Sequence, residues 1–193
     1  MSKKFNYLVF IGRFQPFHKG HKKVIDQALE MSESVIILCG SSFRPRSLRN
    51  PWFFSERVEM IRSCYSQQES GRIYIRALGD VSYSDDLWVG QVQKKVKEIV
   101  DLNSSGPPSE CAVGLIGHEK DQTSYYLHLF PQWGAVGVQN FKQINSTEIR
   151  EDIFYHQKES TLLGETLPSS VIKWLLQFSS QPEFQDLCDE FSF

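Results

Sequence analysis

Short apolar runs rich in β-branched residues recur along this chain with helical patterns between them, and that alternation does most to limit the fold. Phe5–Ile11 reads as a buried strand. Lys19–Met31 reads as a helix with Val24, Ile25, Ala28 and Leu29 on one face, and Val35–Cys39 as a second strand. Ser55 is placed to cap a helix that turns Val58, Ile61 and Cys64 inward. Arg72–Ala77 follows as a half-exposed strand, then Asp85–Asp101 as a long helix carrying Leu87, Trp88, Val92, Val96, Ile99 and Val100. The stretch from Asn103 to Glu110, with its glycine and paired prolines, is turn chemistry. Beyond it, Cys111–Ile116 and Ala135–Val138 read as strands with a helix around Ser124–Phe130 between them. Ser146 or Thr147 caps a further helix, and Pro168 opens another that carries Val171, Ile172, Leu175, Leu176 and Phe178. Strands apolar on both faces and separated by helices imply βαβ crossovers. The expected fold is therefore α/β: a Rossmann-like, doubly wound parallel sheet. Ligands on such sheets bind beyond the carboxyl ends of the strands, which points to the loops after strands one to four.

Composition narrows the classes of function. With 193 residues, 40% hydrophobic and 23% charged, the chain can bury a full core. The net charge of −2 offers no basic field for nucleic acid or an anionic membrane. No apolar run is long enough to span a bilayer, and Lys3 and Lys4 lead into a strand rather than a signal peptide. Cys39, Cys64, Cys111 and Cys188 are scattered without a close pair. That suits reduced, buried thiols and a cytoplasmic setting better than a zinc site or disulfides.

The first βα turn carries the chemistry. Gly12-Arg13-Phe14-Gln15-Pro16-Phe17-His18-Lys19-Gly20-His21 lacks both the dinucleotide glycine fingerprint and a P-loop. It instead sets two histidines at i, i+3, on one face of the first helical turn, beside unsatisfied backbone N–H groups and the positive end of the helix dipole. Gly12 permits close backbone approach, Arg13 adds a cation, and Gly20 leaves room at the helix start. A histidine pair of this spacing can also be plain surface polarity or a metal pair. The position at the first βα turn favours phosphate, and no third metal ligand is near in sequence.

This segment, with its His18-Lys19-Gly20-His21 core, resembles the nicotinamide-nucleotide adenylyltransferases of the nucleotidyltransferase superfamily. A second match, Ile144-Asn145-Ser146-Thr147-Glu148-Ile149-Arg150, is similar to that family's Ser-Thr-x-x-Arg motif beside the ATP phosphates, with Asn145 standing where a small residue is usual. The resemblance implies catalytic roles for His18, His21, Arg13 and Arg150. It implies ATP contacts at Gly12, Phe14, Gly20, Gly117, Lys120, Asp121, Ser146 and Thr147. Capping also explains Ser146 and Thr147; it does not explain Arg150, whose fork suits phosphate.

The loop Gly40–Arg46, running on to Trp52, is similar to the one that meets ATP and the mononucleotide phosphate; Arg46 is the favoured cation, with Arg44 and Arg49 as rivals and solvated charge as the plain alternative. Trp88 is matched to the residue that stacks on nicotinamide and Asp85 to the one that contacts the carboxamide, although helix periodicity alone makes Trp88 a core anchor. Gly117 to Tyr126, with Phe130–Trp133 behind, resembles the adenosine cradle of the subfamily fused to a Nudix hydrolase.

What the resemblance implies is transfer of AMP from ATP to nicotinamide mononucleotide, with Mg²⁺ held mainly on the ATP phosphates and no protein metal site. Residues 1–180 would form that domain and 181–193 an extension toward a fused Nudix domain, and a homo-oligomer is compatible with it. A relative with another acceptor, such as phosphopantetheine or nicotinate mononucleotide, would keep both phosphate motifs and change the strand-three loop. A non-catalytic nucleotide sensor would have no need of the histidines.

Overall fold

The computed structural model describes residues 3–81, 84–104, 106–118, 129–139, 144–156 and 161–191. Five strands, β1 (Phe5–Gly12), β2 (Ser32–Cys39), β3 (Ile73–Ala77), β4 (Val113–His118) and β5 (Gly134–Val138), form one sheet in the order 3-2-1-4-5. Every pairing in it is parallel. The helices are α1 (Lys19–Met31), α2 (Phe54–Arg62), α3 (Gln67–Ser70), α4 (Asp85–Asn103), α5 (Ser146–Glu151), α6 (Thr161–Thr166), α7 (Ser169–Phe178) and α8 (Pro182–Phe191). A π-helical turn, Asp152–His156, continues α5. The α/β, doubly wound expectation holds. The strand order reverses between β1 and β4, so the crevice that such a sheet offers opens at the loop after β1.

Strand alternation explains why the runs are apolar throughout. Leu8, Phe10, Val35, Ile37 and Ile75 enter one core with α1, α2, α7 and α8, while Tyr7, Val9, Ile36, Leu38 and Leu115 enter a second core beneath α4. The four residues expected on the inner face of α1 are buried there. In α4, Val92, Val96, Ile99 and Val100 are buried, but Leu87 in the first turn faces solvent. The helix expected around Ser124–Phe130 lies mostly outside the described residues. None of the described helices is long and apolar enough to cross a membrane.

Three local expectations are corrected. Ser55 does not cap α2; the helix begins at Phe54, and the Glu56 carboxylate accepts from the Phe53 N–H at 2.6 Å. Its buried residues are Arg57, Met60 and Ile61, and Val58 and Cys64, expected inward with Ile61, pack partly buried against the first core. Asn145, not Ser146 or Thr147, caps α5, its Oδ1 accepting from the Thr147 N–H at 2.9 Å. Pro168 stands just before the first turn of α7.

The extension folds back as α8. Leu187 and Cys188 are buried in the first core, and Phe184 meets Phe154 and Phe178 at ring-centroid distances of 5.4 and 6.1 Å. Leu187→Ala is expected to cost about 2–4 kcal/mol through lost burial plus a cavity, read as a fall in the urea midpoint. A loss under about 0.5 kcal/mol, the size of an ordinary surface change, would detach α8 from the folded unit.

Candidate active site

The loop between β1 and α1 is built around two imidazoles that cap a helix for each other. His18 is the residue before the first turn, and its Nδ1 accepts from the His21 N–H at 3.2 Å; His21 Nδ1 in turn accepts from the His18 N–H at 3.3 Å. This is a capping box made of histidines in place of the usual Ser and Glu. It draws the rings into a stack, with centroids 3.5 Å apart and planes 18° from parallel. An Nδ1 that accepts from a backbone N–H carries no proton, so each neutral ring holds its proton on Nε2. The backbone thus selects one tautomer for both rings: a pair of Nε2–H donors. Phe17 stacks on His21 at 5.8 Å and Phe14 meets it edge-on at 4.8 Å, which holds the ring in plane.

Gly12, Phe14 and Gly20 are accounted for by this packing. Phe14 takes a left-handed backbone conformation, φ 53°, that turns its ring back beneath Gly12. A Cβ on Gly12 would strike that ring at 2.9 Å. Phe14 is 1% exposed, so its ring forms the floor of this loop. Gly20 likewise makes room for the His18 ring, 3.0 Å from where a Cβ would be.

Beyond the ends of β1, β2 and β3 lies a cleft of about 600 Å³ lined by Arg13, Ser41, Arg44, Pro45, Ser47, Arg49, Asn50 and Asp80. Arg13 donates through Nη2 to the Arg49 carbonyl and to Asn50 Oδ1, at 3.0 Å for the latter. Asp80, after β3, accepts from the Ser41 N–H and hydroxyl at 3.2 and 3.0 Å and from Arg44 Nε at 2.8 Å, pinning the second loop to the third. Burial raises the Asp80 carboxyl, but the Arg44 and Ser41 bonds outweigh it and hold the group below its usual range.

Arg46 points elsewhere, which corrects its selection as the phosphate cation. Its guanidinium pairs with both Glu56 oxygens at 3.0 and 2.9 Å, donates to the Pro51 carbonyl, and lies 4.2 Å over the Phe53 ring. The rivals Arg49 and Arg44 line the cleft in its place.

Arg150 comes to the same loop from the far end of the chain. Nη1 donates to the Gln15 carbonyl at 2.8 Å and Nη2 to Thr147 Oγ1 at 3.1 Å. At 8% exposed, it contributes charge and holds the loop more than it offers an open fork. Burial, then Arg13, depresses its guanidinium below the ordinary value; burial, then Arg49, does the same to Arg13, with Asp80 in partial opposition. Guanidinium groups stay charged regardless, so these cations repel one another until an anion joins them.

Trp88 and Asp85 stand in the first turn of α4, Asp85 exposed and Trp88 half-buried against Phe130 at 5.9 Å. Neither lines the arginine cleft. Gln91, one turn on, accepts from the Gly79 N–H at 2.8 Å and fixes that helix to the end of β3. Gly117 is buried in β4 beside Gly137 of β5. Lys120, Asp121 and the Ser124–Tyr126 segment lie outside the described residues. Among the described residues, no group of three His, Cys, Asp or Glu could hold a metal ion.

Two residues of this region are missing from the expectations. The Gln15 amide pairs with the backbone of Trp52, donating to its carbonyl at 2.9 Å and accepting from its N–H at 3.1 Å, with both side chains buried. Arg57 binds the loops after β1 and β2 from below. Its signal was readable: a charged residue on the stripe that Met60 and Ile61 continue at i+3 and i+4.

Known proteins are similar to this chain in sequence and in fold. Residues 9–152 match the cytidylyltransferase-like family. The nicotinamide/nicotinic acid mononucleotide adenylyltransferase of Acinetobacter baylyi is 39% identical over 184 residues, which is 95% of this chain and 92% of that one. The chain belongs to the nicotinamide-nucleotide adenylyltransferases of the cytidylyltransferase-like family. A member from Saccharolobus solfataricus is 29% identical over 93% of this chain and 95% of its own. Among solved structures, the bifunctional NMN adenylyltransferase/ADP ribose pyrophosphatase of Francisella tularensis, complexed with AMP and a manganese ion, matches at TM-score 0.82 and 31% identity. That match covers 97% of this chain, which spans about half, 53%, of the Francisella protein. In this chain, His18 and His21 form the reciprocal cap at the start of α1.

Proposed function

We propose that the chain transfers AMP from ATP to nicotinamide mononucleotide, giving NAD and pyrophosphate. The observation that carries the proposal is the stacked pair of Nε2–H donors at the sheet's switch point, at the end of the loop whose Arg13 lines a cleft with Arg44 and Arg49. A phosphate oxygen of the mononucleotide forms the new bond to the α-phosphorus, the bond from that phosphorus to the β-bridging oxygen breaks, and pyrophosphate leaves in line. The attacking oxygen is already anionic, so neither a general base nor a covalent intermediate is needed. Catalysis consists of positioning and of donors aimed at charge that grows on the transferred and leaving phosphates. His18 and His21 supply those donors; Arg13, Arg49 and Arg150 supply fixed positive charge. Mg²⁺ enters as part of the ATP substrate, carried mainly on its phosphates, as this cation's preference for few protein ligands implies.

Trp88 keeps its assignment to the nicotinamide ring and Asp85 to the carboxamide. Trp88→Ala is expected to raise KM for the mononucleotide about tenfold, the size of a lost stacking partner, and KM for ATP less than twofold. Equal changes in both would place the ring elsewhere. The name of the Acinetobacter relative joins the amide and acid mononucleotides, which favours a second acceptor, nicotinate mononucleotide. The test is to incubate the chain with ATP, Mg²⁺ and each mononucleotide separately and to measure dinucleotide and pyrophosphate. Equimolar NAD and pyrophosphate are expected from the amide; ATP hydrolysis without dinucleotide would overturn the proposal.

Residues 1–180 are proposed as the adenylyltransferase domain and 181–193 as the stretch leading toward a Nudix domain in the parent protein, by analogy with the Francisella enzyme. A cytoplasmic setting is proposed with it, in keeping with four cysteines of which none is in a disulfide.

A further inference from the structure

Arg57 is 1% exposed, and among the described residues it makes no ion pair. Its acceptors are neutral oxygens. Nη1 donates to the Arg13 carbonyl at 2.6 Å and to the Gly40 carbonyl at 2.8 Å, Nη2 to Ser42 Oγ at 3.2 Å, and Nε to the Phe53 carbonyl at 3.5 Å. The Gly40 N–H donates to the Gly12 carbonyl at 2.8 Å, so a backbone bond closes the same ring of contacts. One guanidinium therefore sits under the point where the loops after β1 and β2 touch. Those loops carry Arg13 on one wall of the cleft and Ser41 and Arg44 on the other. Burying a cation without a carboxylate partner is a costly way to join two loops, and a neutral donor would do it with less desolvation. The charge is useful if a polyanion shares the field. The nearby Asp80 carboxylate is already engaged by Arg44 and Ser41.

We propose that Arg57 is a positioning residue that sets the separation of the two cleft walls and thereby places the Arg13 guanidinium against substrate phosphate. The proposal rests on the adenylyl-transfer reading. A spacer of this kind acts through Arg13, so its effect depends on Arg13 being present, whereas a residue that only holds the fold together weakens any background equally.

The test is a double-mutant cycle in the full chain with Arg57→Lys and Arg13→Ala, which separates coupled from independent effects. Arg57→Lys keeps the charge and loses the planar fork. In the otherwise unchanged chain it is expected to lower kcat/KM about 10–100-fold, and in the Arg13→Ala chain less than about threefold. Equal losses in the two backgrounds would overturn the proposal. The cycle is read a second time as equilibrium binding of inorganic tripolyphosphate, which does not depend on the acceptor. Coupling in binding without NAD formation would leave Arg57 standing and sink the acceptor assignment. NAD formation with independent effects in both readouts would do the reverse. If the Arg57→Lys chain lacks the native circular-dichroism spectrum, Ser42→Ala removes the Nη2 acceptor from the more exposed side. Its expected loss is about 3–10-fold with Arg13 present and under about twofold without it; equal losses would again count against the spacer.

Discussion

Alanine at position 21 is expected to lower kcat by about 10²–10³, the effect of removing one preorganised donor from a developing oxyanion. The cause lies in the stack. His21 supplies one Nε2–H and, through its Nδ1, the acceptor that completes the cap on the His18 N–H. The mutation therefore also loosens His18, 3.5 Å away, and part of the loss is felt through the second ring. Stability is expected to fall by only about 0.5–1 kcal/mol, the size of a lost helix cap, because the other half of the box is backbone donation to His18. Steady-state kcat with a parallel thermal melt separates the two effects. A rate change below threefold in a folded protein would remove His21 from the mechanism.

The second large effect distinguishes two arginines that the sequence cannot tell apart. Arg49→Ala is expected to cut kcat/KM on the order of 10²-fold, as for a lost phosphate contact, with a melting temperature close to that of the parent. Arg49 is exposed at the cleft. Arg46→Ala is expected to do the opposite. It leaves a half-buried Glu56 without the two bonds that Arg46 donates, at a cost of about 1–3 kcal/mol, while kcat changes less than about threefold. Urea unfolding and kcat/KM measured on both variants decide it. An inactive but stable Arg46→Ala chain would return that residue to the site.

The contrast shows where sequence reading has purchase and where it stops. The stripe of α1 and the apolar strands were legible because burial there is a matter of periodicity: Val24, Ile25, Ala28 and Leu29 declare a face by spacing alone. The paired histidines were legible because spacing on a first helical turn puts them together, and the structure does so. Their reciprocal cap was not, since it requires knowing that His18 stops just short of the helix. The pairing of Arg46 was not legible because its partner, Glu56, is ten residues away on α2, and nothing local ranks one loop arginine above another. Arg57 was passed over because it counts as polar in any hydropathy pattern; its place on the stripe was readable, but the carbonyls of two other loops that make its burial possible were not. Asn145 looked like a departure from a motif and is the cap of its helix. For Arg57 the deciding partners are tertiary, whereas the caps of α1 and α5 are local and turn on where each helix begins.

The most direct measurement is a crystal structure with a non-hydrolysable ATP analogue. Nε2 of both His18 and His21 is expected about 3 Å from phosphate oxygens of the triphosphate, with the Arg13 guanidinium on the same chain of phosphates. A triphosphate seated farther than a side chain's reach from both imidazoles would contradict the account.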